Sequence, residues 1–370
     1  MRTLHVDLGP TWRGGQNQVW LLLRGLRARG VEAELLGRED APLVHRAGDD
    51  SFVVHPVGTS GARWRAAWRL RKLLRRENFE IVHAHDAHGL TAAWLAGAHR
   101  RARLVATRRV VYPLGGGLGR ARYRSAQRLV AVSHAVAAGL RASSVPAERI
   151  TVVHSGVELP PLPTEEARQH ARERFGLSGS GAVVGSVGMF HPDKGQESLL
   201  RALVLLRRDF PDCRLLLAGD GPERARLEMV AHELGIAPAV HFTGFVKEVE
   251  QVYAALDIFL FPAVDEGLGT ALLAAMAHAL PVVALARGGC AEAIEHGRSG
   301  LLAADREPGT LAGAVRSLLA PPPAGLADTA EARRLGEAAR ARIAERFSAE
   351  QMVEGNLRVY EELVFAEKSR

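Results

Sequence analysis

Short apolar runs alternate with longer segments of helical character along almost the whole chain, and the alternation restarts once after a proline-rich break. The first series comprises Leu4–Leu8, Glu32–Leu36, Ile81–His85, Leu104–Thr107, Arg128–Val132 and Ile150–His154. The second comprises Val183–Val187, Arg214–Ala218, Val240–Thr243, Ile258–Phe261 and Pro281–Leu285. Helical segments such as Gln16–Arg29 and Gln196–Arg208 lie between them. That rhythm predicts an α/β chain in which parallel sheets are covered by helices on both faces, built twice over. The break Glu158-Leu159-Pro160-Pro161-Leu162-Pro163 can sustain neither a helix nor a central strand, so it reads as a linker. It separates two α/β domains over residues 1–160 and 166–345, and 370 residues suit two cores better than one. A second proline cluster, Pro321-Pro322-Pro323, predicts a surface loop, and an amphipathic helix is expected over 348–366.

Composition narrows the function classes. With 47% hydrophobic and 24% charged residues, the chain is neither disordered nor fibrous. Its most apolar stretch, 271–286, is broken by His278 and Pro281, so no membrane span is expected. The strand-like start at Leu4 leaves no room for a signal peptide, and two cysteines make no disulfide framework. A cytoplasmic protein is expected. Residues 1–165 hold 25 Lys and Arg against 13 Asp and Glu, whereas residues 166–370 hold 23 against 28. A basic half joined to an acidic half suggests that the first faces an anionic surface or substrate. No zinc-finger spacing or aromatic RNA-binding motif accompanies the charge, so nucleic acid is not expected as a partner. Lysine is scarce, occurring only at 72, 194, 247 and 368.

Ligands of such sheets bind at the loops that leave the C-terminal ends of strands. The first such loop carries Arg13-Gly14-Gly15, whose glycines let backbone amides approach a phosphate at a helix start. It is neither a dinucleotide fingerprint nor a P-loop. His83-Ala84-His85-Asp86-Ala87-His88 closes another strand; alternation puts His83 and His85 on one face, as a crevice edge more than as metal ligands. Gly188 to Gly195 holds Lys194 where a mobile cation can neutralise a diphosphate. Glu266-Gly267-Leu268-Gly269-Thr270 again offers amides at a helix start, with Glu266 at the crevice or, more simply, favouring the helix dipole. The basic segment from Arg63 to Arg76, with tryptophans at 64 and 68, suits an anionic membrane surface; packing its apolar stripe on the sheet is the favoured expectation. The chain has no Asp-x-Asp metal clamp and no carboxylate pair of glycosidase type.

Taken in order, Gly14-Gly15, His83-Ala84-His85-Asp86, Gly188…Lys194-Gly195, Gly219-Asp220-Gly221-Pro222, Phe242-Thr243-Gly244-Phe245, Glu266-Gly267-Leu268-Gly269, Gly288-Gly289-Cys290-Ala291-Glu292 and Gly297-Arg298-Ser299-Gly300-Leu301-Leu302 resemble the retaining glycosyltransferases of family 4. The resemblance implies the GT-B fold: two Rossmann-like domains facing a central cleft, the first for the acceptor and the second for a nucleotide-sugar. It also implies that the terminal helix crosses back to the first domain. By the same likeness, His85 and Glu266 are the catalytic candidates, and Gly14, Gly15, Lys194, Gly267, Leu268, Gly269 and Thr270 hold the donor diphosphate. Gly219, Gly244, Phe245 and Ala274 mark the base and ribose region, and Arg13, Arg108 and Arg109 are acceptor-side candidates.

No metal or other cofactor is expected, since lysine and helix starts can stabilise the leaving group. Three positions depart from the family pattern: Ala274 replaces a ribose-binding glutamate, Met189 an arginine, and Ser155-Gly156 an Asn-Gly. The expected activity is metal-independent, retaining transfer of a sugar to a cell-envelope glycan or lipid-linked acceptor, with peripheral contact to the anionic inner face of a membrane. A catalytically reduced member that binds nucleotide or glycan, a nucleotide-sugar epimerase and a metallohydrolase remain as alternatives.

Overall fold

The computed structural model describes residues 1–177, 179, 181–320 and 329–368. The expected loop at Pro321–Pro323 lies outside the described residues. The chain divides into two compact units. One holds Met1–Gly156 together with the terminal helix Ala349–Lys368; the other is Val157–Ser348.

In the first unit seven parallel strands are β1 (Arg2–Asp7), β2 (Glu32–Arg38), β3 (Val54–Val57), β4 (Ile81–Ala84), β5 (Arg103–Arg108), β6 (Arg128–Ala131) and β7 (Ile150–Val152). They lie in the order β3-β2-β1-β4-β5-β6-β7. The second unit has six: β8 (Val183–Val187), β9 (Arg214–Ala218), β10 (Val240–Gly244), β11 (Ile258–Phe261), β12 (Val282–Leu285) and β13 (Leu301–Ala303), ordered β10-β9-β8-β11-β12-β13. Each sheet therefore reverses its winding once, between β1 and β4 and between β8 and β11. A parallel sheet opens a crevice at such a switch point, because successive helices leave to opposite faces there. Four of the loops singled out by sequence leave these four strands.

Two strands escape the sequence rhythm, β3 and β13, and both are edges. An edge strand is short and half solvated, so it needs no apolar run; β3 even accommodates Pro56, whose missing N–H costs nothing on an open side. The inner strands β4, β11 and β12 are buried at every residue, which is why they stand out as apolar runs.

The first core gathers Val19, Leu22, Leu26, Leu35, Ile81 and Val105 with Met352, Val353 and Tyr360 from the terminal helix. That helix packs on the helix Gly14–Arg27. Gly25 sits at the contact: a Cβ there would come within 2.3 Å of Val353. The second core is built from Val184, Leu199, Leu203, Leu215, Leu217 and Leu260, among others.

The basic segment forms the helix Ala62–Arg76, and its packing stripe is Ala66, Ala67, Leu70, Leu73 and Leu74. It lies against β2, β3 and the helix Ala87–Ala96. The tryptophans do not join that stripe: Trp64 is 68% and Trp68 65% exposed.

Candidate functional site

The switch point of the first unit is lined by side chains. Asp7 ends β1 and is almost fully buried, accepting hydrogen bonds from the Gly9 amide (2.9 Å) and Gln16 Nε2 (3.1 Å). Burial and the nearby Asp86 carboxylate push its carboxyl up to about 6. Asp86 caps the helix Ala87–Ala96, accepting from the amides of Gly89 (2.8 Å), His88 (3.2 Å) and, across the crevice edge, Leu8 (3.1 Å). The aspartate of the His-Ala-His-Asp motif thus serves the backbone. Arg109 follows β5 with its side chain against Gly15, 3.5 Å from where a Cβ would stand there. Burial brings its guanidinium down to about 10, opposed by Asp7 and Asp86. Arg108 is spoken for: it donates to Tyr112 O (2.6 Å) and Tyr123 Oη (3.3 Å) and lies over both rings. Arg13 stands exposed at the N-cap of Gly14–Arg27, and Gly14 and Gly15 form the first turn of that helix.

His83 and His85 do share a face, and they meet a third histidine, His5 of β1. All three are buried. His5 Nδ1 lies 2.9 Å from His85 Nε2, and His5 Nε2 is 3.0 Å from Thr3 Oγ1. His83 pairs with Tyr360 Oη of the terminal helix (2.5 Å) and Thr107 Oγ1 (2.7 Å). Desolvation holds all three rings neutral, with His5 brought down to about 3. Their nitrogens lie close enough to ligate one ion between them. However, both nitrogens of His5 and His83 are committed to hydrogen bonds within the protein.

The second switch point is lined mostly by backbone. Lys194 Nζ, from the loop after β8, forms an ion pair with Glu266 Oε1, from the loop after β11. The helix Thr270–Ala277 begins beside Glu266, and no side chain caps it. Its first amides are therefore open to a ligand. Gly269 at its N-cap has φ +76°, and a Cβ there would press on Phe261 at 2.9 Å. Gly267 and Leu268 are buried beneath Gly289, whose amide donates to Glu266 O (3.0 Å); a Cβ on Gly289 would stand 1.9 Å from Gly267 O. Only glycine permits that stacking of two loops. Gly219 donates to Gly244 O (2.9 Å), tying the loops after β9 and β10 together. Phe245 is 70% exposed and borders an open groove of about 700 Å³ with Arg174, Phe242 and Lys247. Ala274 is half-buried on the helix Thr270–Ala277, its carbonyl accepting from His278 Nδ1 (2.8 Å).

Asp7, Gln16, His5 and Tyr360 were not singled out from sequence. Asp7 left one signal, an acidic residue closing an otherwise apolar strand. The partners of His83 and His85 left none, because one lies 80 and the other 277 residues away.

The amino-acid sequence matches two family models. Residues 12–159 match the one described as Glycosyltransferase Family 4, and residues 181–321 match Glycosyl transferases group 1. Together they span well over half of the chain. Among curated proteins, a GDP-mannose-dependent alpha-(1-6)-phosphatidylinositol monomannoside mannosyltransferase of Mycolicibacterium smegmatis is 38% identical over 43% of this chain and 44% of its own length. A D-inositol 3-phosphate glycosyltransferase of Corynebacterium urealyticum is 37% identical over 46% of this chain and 43% of its own. The chain thus spans a little under half the length of these curated relatives. Among solved structures, Anabaena HepE in complex with UDP and glucose superimposes with a TM-score of 0.83 at 21% identity, over 98% of this chain and 100% of that one. The two doubly wound parallel sheets are those of the GT-B fold. With its fold, its two matched halves and the ordered glycine, histidine and glutamate motifs in agreement, this chain belongs to the group 1, family 4 glycosyltransferases.

Proposed function

We propose that the protein transfers a hexosyl group from a nucleotide-diphosphate sugar to a hydroxyl-bearing acceptor, with retention of anomeric configuration and without a divalent ion. The observation that carries this reading is the Lys194–Glu266 ion pair beside the uncapped start of the helix Thr270–Ala277. A diphosphate meeting this site finds an ammonium and a set of converging amides, the arrangement that stabilises phosphate oxygens elsewhere. Lys194 then turns from Glu266 to the phosphate, and Glu266 is released to accept hydrogen bonds from sugar hydroxyls. Charge developing on the leaving diphosphate is met by preoriented dipoles, which contribute several kcal/mol in a site of this kind. Transfer on the same face needs no separate base, since the departing phosphate oxygen takes the acceptor's proton. Within the first unit, His85 is a neutral imidazole suited to a hydrogen bond rather than to charge pairing.

A cell-envelope glycan or lipid-linked acceptor is favoured by two features of the first unit. Residues 1–156 and 349–370 carry a net charge of +12, against −5 for residues 157–348. On the helix Ala62–Arg76, Trp64, Trp68, Arg63, Arg65, Arg71 and Arg75 are exposed together, a combination that suits an anionic membrane surface. The curated relatives act, by their names, on a phosphatidylinositol mannoside and an inositol phosphate, which is in keeping with such an acceptor.

The test is donor turnover across UDP-, GDP- and ADP-sugars with EDTA present, reading the anomer of the product by NMR. Expected are turnover that EDTA does not reduce and an unchanged anomeric configuration. Absence of both turnover and binding across the panel, loss of activity in EDTA, or an inverted product contradicts the proposal. An epimerised sugar formed without acceptor identifies an epimerase instead. Absence of binding to phosphatidylserine-containing vesicles contradicts the membrane contact, and binding that survives Trp64→Ser with Trp68→Ser contradicts this helix as its site.

A further inference from the structure

His85 has one nitrogen that finds no partner among the described residues. Its Nδ1 is buried and makes no hydrogen bond. The terminal-helix residue Asn356 is in the same state: its Nδ2 donates to Met352 O (2.8 Å), while its buried Oδ1 accepts from nothing. Both residues line one cavity of about 20 Å³, with Gln18, Thr107, Arg109 and Ser155 among its walls. Leaving two buried polar atoms unsatisfied is costly, so the cavity calls for something that satisfies both. A space of this size takes one water, and a polar wall is where a buried water stays.

The hydrogen bonds behind His85 decide what that nitrogen offers. Thr3 Oγ1 donates its only proton to Glu32 O (3.1 Å). It can therefore only accept from His5 Nε2, which puts the proton of the neutral His5 ring on Nε2. His5 Nδ1 is then bare and accepts from His85 Nε2–H at 2.9 Å. The His85 ring is also neutral, so its Nδ1 carries a lone pair. Arg109, whose charge acts on His85, favours a lone pair over an N–H at that position. Asn356 Oδ1 is likewise an acceptor. A water, with two protons, satisfies both; a hydroxyl of the sugar or of the acceptor that displaces it, with one proton, satisfies one of them.

We propose that Thr3 and His5 are positioning residues that hold His85 in its Nε2–H form, and that the Nδ1 lone pair faces a one-hydroxyl site completed by Asn356 of the terminal helix. The role in turnover rests on His85 acting in sugar transfer as proposed above; the tautomer and the hydroxyl site do not. In the full chain labelled with ¹⁵N-histidine, long-range proton–nitrogen NMR separates bare from protonated ring nitrogens. Expected for His85 is a bare Nδ1 and a protonated Nε2. His5→Phe removes the acceptor and mixes the two forms, whereas His5→Asn, whose amide oxygen can stand where Nδ1 stood, restores the single form. Should His5→Phe fail to fold, Thr3→Val perturbs the same relay with a near-isosteric side chain. Asn356→Leu shifts the Nδ1 signal and leaves the tautomer unchanged. In a turnover assay, His5→Phe lowers kcat roughly 10- to 100-fold, the range for loss of an orienting partner, with KM within about twofold, and His5→Asn recovers it. A protonated Nδ1 in the unsubstituted protein, a tautomer indifferent to both His5→Phe and Thr3→Val, an Nδ1 signal indifferent to Asn356→Leu, or stoichiometric zinc bound among His5, His83 and His85 overturns the proposal. Absence of turnover with the expected spectra overturns the transferase reading and leaves this site standing.

Discussion

The two units meet the same topological demand with different materials. At the β8/β11 switch point the walls are backbone: Gly267 under Gly289, a left-handed Gly269 and an uncapped helix start, with Lys194 and Glu266 as the charged side chains between them. At the β1/β4 switch point the walls are buried titratable side chains: Asp7, Arg109 and three neutral histidines held by Thr3, Thr107 and Tyr360. Backbone amides suit a ligand that is always an anion, because their dipoles need no protonation. Side chains whose charge is suppressed by burial suit hydroxyls, which differ from one sugar or acceptor to another. On the proposed reading, the fixed part of the chemistry falls to main chain and the variable part to side chains.

The largest effect is expected where the backbone wall is tightest. Gly289→Ala forces a Cβ onto Gly267 O, which can only be relieved by moving the loop that carries Glu266. A displacement of about 1 Å at a reacting centre costs about 100-fold in turnover. Donor kinetics should show that loss with an unchanged circular-dichroism spectrum; near-normal kinetics breaks the contrast between the units.

Ala274→Glu tests whether the second unit lacks a ribose contact. A charge-assisted hydrogen bond contributes about 1.5–3 kcal/mol, so calorimetry should record tighter nucleotide binding by roughly tenfold or more. Unchanged affinity means that other groups already hold the ribose.

Acid should affect the first unit more than the second. His5, His83 and His85 have folded pKa values below the ordinary 6.5, so their contribution is complete above that pH. It is lost as pH falls below 6.5, because the unfolded chain gains protons that the fold refuses, down to about 3 for His5. Asp7 works in the opposite direction. Raised to about 6, it takes up a proton in the fold before the unfolded chain does, adding stability as pH falls from about 6 toward 3.8. Each group contributes a slope of about 1 kcal/mol per pH unit, and three outweigh one. In the second unit His241 and His278 are lowered by burial too, but less completely buried. Hydrogen exchange at pH 5 against pH 7 should therefore show β1 and β4 losing more protection than β8 and β11. Equal loss removes the electrostatic half of the comparison.

The smallest effect is Tyr360→Phe, which takes one hydrogen bond from His83. The expected cost is about 1 kcal/mol, or about 2–4 °C in the melting of the first unit. An unchanged melting temperature contradicts a contribution of this hydrogen bond to stability.

The same contrast explains what could be read in advance. Glycine spacing is a local record of backbone geometry, so Gly267, Gly269, Gly288 and Gly289 marked the loops at the second switch point, and Lys194 stood out because lysine is rare. The inner strands were legible because burial on both faces demands continuous apolar residues. Edge strands β3 and β13 were not, since half-solvated strands carry no such demand. The histidine group was half legible: alternation put His83 and His85 on one face, but nothing local points from them to His5 or Tyr360. Asp86, within the His-Ala-His-Asp motif, is a helix cap. The packing of the basic helix's apolar stripe was legible, and that stripe closes without Trp64 and Trp68.

The central claim is that Lys194 and the amides of the loop at Gly267–Thr270 grip a diphosphate without a metal ion. Calorimetric titration of UDP and GDP in EDTA, on the unsubstituted chain and on Lys194→Ala, tests it directly. The account predicts binding of at least one nucleotide that EDTA leaves unchanged and Lys194→Ala weakens at least tenfold. Equal binding by the two proteins, or binding that appears only when magnesium or manganese is added, contradicts it.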